Sequence, residues 1–255
     1  MPRTPASYLP IAEALRARIA AGDWRIGDRL PSRAQLAAEY GVSAMVMQRA
    51  QERLIIEGLL EGRAGSGTYV RVPRERLRMV RSRHREQRGG SPFRADMKER
   101  GKSGTWESHS QARVPAPEGI ARRLAVQPGD PCVHTRYEFL ADGMPVQLSS
   151  SWEPMAVTDG TPIVLPEMGP LAGMGVVERM RTIGVRIGTA VEVPRPGRAT
   201  QEEANLLGIS VGDLLTRIER TYYDTDCRPV ETADITVPDV RWEIAYEIPI
   251  EQPEA

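Results

Sequence analysis

The chain of 255 residues contains few of the residues that hold metals or form disulfides. It has two cysteines, Cys132 and Cys227, and three histidines, and no metal-binding spacing joins them. We therefore expect no metal site, no cofactor and two reduced cysteines. Catalysis would need a nucleophile with a base, or a metal, and neither motif is present, so we do not expect an enzyme.

Long apolar runs are also missing. No stretch approaches the ~18 apolar residues of a membrane span, and the start lacks the charged and then apolar pattern of a signal peptide. We expect a cytoplasmic protein with no membrane partner. The length of the chain allows two domains, each with its own core.

Charge is balanced over the whole chain, with 34 basic and 34 acidic residues, but it is unevenly distributed. Residues 1–90 hold 17 arginines and 9 acidic residues, a net charge of +8, and the remainder carries −8. A basic N-terminal third on an acidic body suits a DNA-binding head attached to a domain that does not bind DNA.

The N-terminal region has the pattern of a helical domain. Ile11, Leu15 and Ile19 recur every four residues, which predicts an amphipathic helix from Tyr8 to a left-handed glycine cap at Gly22.

Two shorter helices are predicted next, joined by a tight turn. Ser32 can cap a helix over residues 33–40, and Ser43 can cap one that runs to about Glu57 and stops at Gly58. This pair is the unit that lays its second helix in the DNA major groove. A hairpin is predicted over residues 61–72, so residues 1–72 are interpreted as a winged helix–turn–helix DNA-binding domain.

The same region resembles the GntR family of bacterial winged-helix regulators. The residues that carry the resemblance are Tyr8, Ile11, Ala12, Ile19, Gly22, Gly27-Asp28-Arg29-Leu30-Pro31-Ser32, Leu36-Ala37, Tyr40-Gly41-Val42-Ser43, Ala50, Leu54, Glu57-Gly58-Leu59 and Gly65-Ser66-Gly67-Thr68-Tyr69-Val70. They match in order and without gaps.

Residues 73–92 are interpreted as a basic linker. Residues 73–90 contain seven arginines against two glutamates, and their only apolar residues besides Pro73 are Leu77, Met79 and Val80, so we expect no buried face here. The arginines either follow DNA phosphates or keep the tether soluble.

Residues 93–250 show short strands, turns and two helices. Hairpins are predicted from residues 133–140 with 146–152 and from 214–223 with 230–237, and helices over residues 174–182 and 200–207. These elements predict an α+β domain built on an antiparallel sheet, followed by a tail at 251–255.

This second region resembles the effector-binding domain of the HutC subfamily of GntR regulators, whose fold is similar to chorismate lyase. The matching residues are Leu140-Ala141-Asp142-Gly143, Pro145-Val146, Ser151-Trp152, Pro154, Ala199-Thr200, Glu202-Glu203-Ala204, Leu207-Gly208, Arg217-Ile218, Arg220, Tyr223-Asp224 and Arg228-Pro229-Val230-Glu231. The resemblance implies a domain for effector binding and dimerisation.

The predicted DNA-binding residues lie on the second and third helices and on the wing: Arg33, Ser43, Ala44, Met45, Gln48, Arg49, Arg63, Gly65, Ser66 and Gly67. Family members commonly have arginine at the positions of Ala34, Ala44 and Gln48. Because glutamine suits adenine and arginine suits guanine, we expect an operator that differs from the usual family site. Ser43 either contacts a phosphate or only caps its helix.

For the effector pocket, the resemblance points to Arg136 and Glu231, which either bind the ligand or form a salt bridge with each other. The further candidates are Tyr137, Glu138, Ser149 and Trp152. Tyr137 and Trp152 are alternatively ordinary core residues.

These observations predict a repressor that binds double-stranded operator DNA as a homodimer at an inverted repeat and is released by a small-molecule effector. The alternative is a DNA-binding protein whose C-terminal domain only dimerises.

Overall fold

A computed structural model of the chain describes residues 8–63, 65–71, 76–81 and 89–248. The chain divides into two compact units, one through residue 74 and one from residue 75 onward. The predicted tail at 251–255 and the parts of the predicted linker at 73–75 and 82–88 lie outside the described residues.

The described part of the first unit has the elements that the sequence predicts. They are α1 (Tyr8–Ala21), α2 (Arg33–Glu39), α3 (Ala44–Ile56), β1 (Leu60–Arg63) and β2 (Gly67–Val70). The strands β1 and β2 form an antiparallel hairpin. Residues 27–30 extend it, because Leu30 N–H donates to Thr68 O and Val70 N–H to Asp28 O, both at 2.9 Å.

A small apolar core and local caps hold this unit together. Leu15, Leu36, Met47 and Leu54 are completely buried in one cluster that joins the three helices. Ser32 Oγ accepts from the backbone N–H of Gln35, whose side chain accepts from the N–H of Ser32, so α2 begins with a capping box.

The second unit is built on a mixture of helices and long strands. Its described elements are β3 (Leu77–Arg81), α4 (Pro92–Glu99), β4 (Gly104–Pro115), α5 (Glu118–Leu124), β5 (Pro131–Ala141), β6 (Met144–Pro154), α6 (Met155–Thr158), a 3-10 turn (Gly169–Leu171), α7 (Val176–Thr182), β7 (Ile187–Arg198), α8 (Gln201–Leu207), β8 (Leu214–Asp224), β9 (Pro229–Pro238) and β10 (Trp242–Tyr246).

Six of these strands form one antiparallel sheet in the order β4-β5-β6-β9-β8-β7. The α+β fold class and both predicted hairpins, β5–β6 and β8–β9, are therefore confirmed. The two predicted helices correspond to α7 and α8, and α8 has the expected capping box between Thr200 and Glu203. The edge strands β4 and β7 were not predicted individually, because their exposed side chains give little apolar alternation.

The two faces of the sheet carry different layers. On one face, α4 and the strands β3 and β10 enclose a core that includes Phe93, Ile218 and Trp242. On the other face, Trp152 packs with α5 and Leu215 packs with α8. Successive residues of a strand point to opposite faces, so this division decides which side chains can share a site.

The expectation that the basic linker has no buried face is wrong for residues 77–81. They form β3, which pairs in parallel with β10 in a separate two-stranded sheet. Met79 is buried, and Arg81 is buried because its guanidinium is paired with Glu192 of β7. The low apolar content was misleading, since a short strand needs only one or two inward side chains. Residues 91 and 92 are also structured, as the cap and first residue of α4.

Candidate DNA-binding surface and effector cavity

The third helix of the first unit presents one exposed face. Met47, Ala50 and Leu54 are buried, whereas Ala44, Met45, Gln48 and Arg49 are exposed. Met45 belongs to this face, and 67% of its surface is exposed. The four residues predicted on α3 thus share the N-terminal part of one helix surface, and Ser43 directly precedes it.

Ser43 has the capping function that the sequence allowed. Its Oγ accepts a hydrogen bond from the backbone N–H of Val46 at 3.3 Å, which satisfies one of the free donors at the start of α3.

A polar network joins α2 to α3. Arg33 donates from Nη1 to Gln48 Oε1 at 3.3 Å and from Nε to Gln51 Oε1 at 3.5 Å. Gln48 Nε2 in turn donates to Glu52 Oε1 at 2.8 Å. Two residues predicted to contact DNA, Arg33 and Gln48, are therefore in direct contact with each other.

The wing brings the remaining predicted residues to its tip. Gly65 and Gly67 have φ values of +69° and +115°, which the tight turn requires. A Cβ on Gly67 would also lie 2.9 Å from Nε of Arg29. Ser66 and Arg63 are both held against Tyr69: the two hydroxyl oxygens are 2.7 Å apart, and the guanidinium lies 4.2 Å from the ring centroid. The wing is thus a short, braced projection that ends in glycine and serine.

The second unit contains a cavity of about 100 Å³ on the face of the sheet that carries α4. Strands β5, β6, β8 and β9 form its floor, and Trp106 of β4, the start of α4 and the region 173–179 enclose its sides. Apolar rings and charged side chains line it together, a composition that suits a small polar molecule.

Glu231 of β9 is the most deeply buried acid of this cavity, with no exposed surface. Its Oε1 accepts hydrogen bonds from Ser151 Oγ at 2.7 Å and from Arg220 Nη2 at 3.1 Å. Its Oε2 has no hydrogen-bond partner among the described residues. Burial raises the pKa of this carboxyl, although Arg220 and Ser151 oppose the rise.

A second buried charge pair borders the cavity. Arg179 of α7 lines it and donates to Glu153 at 2.5 and 3.4 Å, and both side chains are at most 2% exposed. Beside them, burial raises the pKa of the Tyr137 phenol well above its usual range. Arg179 and Glu153 thus neutralise each other in the interior.

Strand β3 contributes one more cation to the lining. Arg81 reaches the cavity and holds Glu192 by two contacts, of which the Nε–Oε2 distance is 3.0 Å. This residue belongs to the segment that the sequence analysis assigned to the linker.

Only half of the predicted effector residues line the cavity. Tyr137, Ser149 and Glu231 do, whereas Arg136, Glu138 and Trp152 do not. The prediction that Arg136 and Glu231 share one pocket is therefore wrong, and so is the alternative that they pair with each other, since Glu231 pairs with Arg220.

The reason is strand alternation. Tyr137 and Phe139 face the cavity, so Arg136 and Glu138 between and beside them point to the opposite face. Trp152 also lies on that face, stacked on His134 with 4.0 Å between ring centroids.

The three arginines that line the cavity, Arg81, Arg179 and Arg220, were not predicted as site residues, and neither was Glu167. Arg220 could have been found from the strand pattern, because Tyr222 pairs with Glu231 and Arg220 lies two residues away on the same face. Arg179 lies on a short helix and Arg81 on a strand of the separate two-stranded sheet, and no periodicity in the sequence relates either residue to the six-stranded sheet.

Within the described residues, no group of three or more histidine, cysteine, aspartate or glutamate side chains is placed to hold a metal ion. The helices of that part of the chain are all too short or too polar to span a bilayer.

A winged helix–turn–helix is a DNA-binding unit, and a polar cavity in a second domain has the form of a small-molecule site, so the two together fit a DNA-binding regulator with a sensor domain. Family models agree with this class: the bacterial regulatory protein model of the gntR family matches residues 7–70, and the UTRA domain model matches residues 99–240. The chain belongs to the GntR family, with the HutC-type combination of domains that the sequence predicted.

Full-length relatives are regulators as well. The chain is 30% identical over 220 residues to the HTH-type transcriptional repressor NagR of Bacillus subtilis, covering 85% of this chain and 84% of NagR. It is 26% identical to the mannosyl-D-glycerate transport/metabolism system repressor MngR of Escherichia coli, covering 84% and 85%. A crystal structure of a GntR-family transcriptional regulator shares 43% identity, with a TM-score of 0.80 over 97% of this chain and 99% of that one.

Proposed function

We propose that this regulator is a repressor that binds operator DNA through residues 1–72 and leaves it when a small molecule fills the cavity of the second unit. The exposed face of α3 supports a reading surface in the major groove, and the braced wing supports contacts next to it. The net charge of +8 in residues 1–90 supports attraction to phosphates.

The free Oε2 atom of Glu231 is the observation that supports the sensor function most strongly. A buried acceptor without a donor costs roughly 1–3 kcal/mol, so a ligand that donates a hydrogen bond to it recovers that cost. The effector is therefore a small polar molecule with a hydroxyl or amine group that reaches Glu231. Tyr137 and Ser149 lie on the same cavity wall and complete its contacts.

We further propose that the protein acts in the cytoplasm as a homodimer, with the second unit providing the dimer contact, and that it has no catalytic activity. A two-fold symmetric protein requires two half-sites, so the operator is an inverted repeat.

The test measures DNA binding and its release together. Fluorescence anisotropy with the duplex upstream of the gene should show affinity that falls steeply with salt, and fractionated cell metabolites should lower that affinity. The active fraction should also raise the melting temperature of the protein.

Two variants separate the sensor from the dimer-only alternative. Glu231→Gln should bind DNA normally but lose release by the active fraction, whereas Glu138→Gln, on the opposite face of the sheet, should behave like the wild type. If no fraction releases DNA or raises the melting temperature, the second unit only dimerises.

A further inference from the structure

The side chain of Gln48 is held at both ends of its amide. Its Nε2 donates to Glu52 Oε1 at 2.8 Å, one helical turn further along α3, and its Oε1 accepts from Arg33 Nη1 at 3.3 Å. All three side chains belong to exposed residues on the surface formed by α2 and α3.

The chemistry of the two partners determines which way the amide points. A carboxylate only accepts hydrogen bonds and a guanidinium only donates them, so the nitrogen of Gln48 must face Glu52 and the oxygen must face Arg33. Turning the amide over would place two donors against each other at one end and two acceptors at the other. Each end also keeps capacity for a further bond, one N–H on the nitrogen and one lone pair on the oxygen.

We propose that Glu52 is a positioning residue that fixes the order in which Gln48 presents its donor and acceptor to a base pair. This inference rests on the proposed reading of DNA by α3. Adenine offers N7 as an acceptor and N6 as a donor, whereas guanine offers two acceptors, N7 and O6. An amide that cannot turn over pairs with adenine in one orientation, and its oxygen finds no donor on guanine.

The negative charge of Glu52 also favours an effect on base preference over an effect on general DNA affinity. A carboxylate on the DNA-facing side of a helix opposes binding to phosphates, so Glu52 does not help affinity in general. Its favourable effect is expected in the choice between bases, through the hydrogen bond to Gln48.

The experiment uses duplexes that the full-length wild-type protein selects from a random pool. Anisotropy titrations then compare all four base pairs at each position of the selected site. Gln48→Ala identifies the pair that Gln48 reads, where a preference for adenine over guanine of roughly 5- to 160-fold should disappear.

Glu52→Ala should reduce the preference at that same position toward the value of Gln48→Ala, and leave the other positions unchanged. Glu52→Gln should keep the preference, because its side-chain carbonyl can still accept from Gln48. Glu13→Ala removes an equally negative, exposed residue of α1 that pairs with Arg16 instead, and it serves as the charge control.

Three results would overturn the inference. Glu52→Ala could shift all sequences alike, as Glu13→Ala should, which would leave Glu52 with a purely electrostatic effect. Glu52→Gln could lose the preference as well, which would make the carboxylate itself the base-reading group. A partly unfolded Glu52→Ala protein, measured by circular dichroism, together with a Glu52→Gln protein of altered preference, would also contradict it. If the wild-type protein selects no sequence at all, the proposed reading function fails instead.

Discussion

The two units of this protein bury different kinds of side chain. The described part of the first unit has a small core of alanine, leucine and methionine, and its arginines Arg16 and Arg18 pair with acids at the surface. The second unit buries charges in its interior, with Glu153, Arg179 and Glu231 at most 2% exposed beside the cavity. Burial of apolar side chains stabilises a fold. Buried charges require partners, and polar atoms that are left without one can bind a ligand.

The difference agrees with the two proposed functions, DNA binding at the surface of the first unit and effector binding in the interior of the second. The predicted DNA contacts of the first unit are exposed side chains on a stable frame. The second unit buries the charged residues proposed to bind an effector, so these residues should also contribute to the stability of the domain. Substitution of an exposed DNA contact should therefore change function with little effect on stability, whereas substitution of a buried cavity charge should lower the stability of the second unit as well as the response to an effector.

Loss of the Arg179–Glu153 pair should have the largest effect. Arg179→Met leaves Glu153 buried without its partner, which should lower the free energy of unfolding of the second unit by about 3–5 kcal/mol. Urea unfolding followed by tryptophan fluorescence measures this, because Trp106, Trp152 and Trp242 lie in the second unit.

Arg181→Met is the matched control, since Arg181 lies on the same helix and pairs with Glu178 at the surface. It should change the unfolding transition little. Equal destabilisation by the two variants would contradict the importance given to the buried charges of the second unit. The buried pair would then contribute no more to the free energy of unfolding than an exposed pair.

The next largest difference is expected between the labelling rates of the two cysteine thiols. Both cysteines lie in the second unit, Cys227 exposed in a turn and Cys132 buried against α5. Burial, with a smaller effect of Asp130, raises the pKa of the Cys132 thiol from 9.0 to about 11, which reduces its thiolate fraction at pH 8 roughly a hundredfold. A coloured disulfide reagent should therefore modify Cys227 rapidly and Cys132 only as the second unit opens.

The variant Cys227→Ala isolates the slow reaction. The labelling rate of Cys132 should rise when Arg179→Met is added to this variant, because a less stable second unit opens more often. It should fall when the active metabolite fraction is added, because a bound ligand stabilises the closed unit. Rapid labelling of Cys132 in the native protein would show that the α5 side of the sheet is not closed.

Removing a helix cap should lower the melting temperature by a smaller amount, and that amount should differ between the two units. Ser32→Ala and Thr200→Ala each remove the side chain of a capping box and should each cost about 1 kcal/mol. The same loss should lower the melting temperature by about 4–8 °C in a unit of 60–100 residues and by about 2–4 °C in one of 150–250 residues. Scanning calorimetry of the full chain measures both shifts, and equal shifts would indicate that the two units unfold as one.

The sequence predicted the first unit almost completely because its elements follow rules of local pattern. Ser32, Ser43 and Gly22 mark helix ends, and Leu15, Met47 and Leu54 follow helical spacing. In the second unit, the hairpin turns and the capping box at Thr200 were predicted for the same reason. The cavity was predicted less well, because its lining comes from strands, a helix and a separate strand far apart in the chain.

The wrong placement of Arg136 in one pocket with Glu231 shows a limit of prediction from local sequence. The resemblance pointed to a strand that lines the cavity, but a shift of one residue along a strand exchanges the two faces of the sheet. Arg81 shows a different problem. Its basic segment forms a strand by pairing with β10, and its buried charge is paired with Glu192, more than a hundred residues away in the sequence, so local pattern predicts neither contact.

Substitution of Arg136 should have the smallest effect, and it tests which face of the sheet this residue occupies. Arg136 is exposed on the face of the sheet away from the cavity, opposite His109 and Ser150 on the neighbouring strands. Arg136→Ala should therefore leave DNA affinity, thermal stability and release by the active metabolite fraction close to those of the wild type. Tyr137→Ala, one residue along the same strand, removes part of the cavity wall and should weaken the response. Anisotropy titrations of both variants against increasing amounts of the fraction make the comparison. Loss of the response in Arg136→Ala with DNA binding intact would return Arg136 to the effector site and contradict the assignment of the two faces.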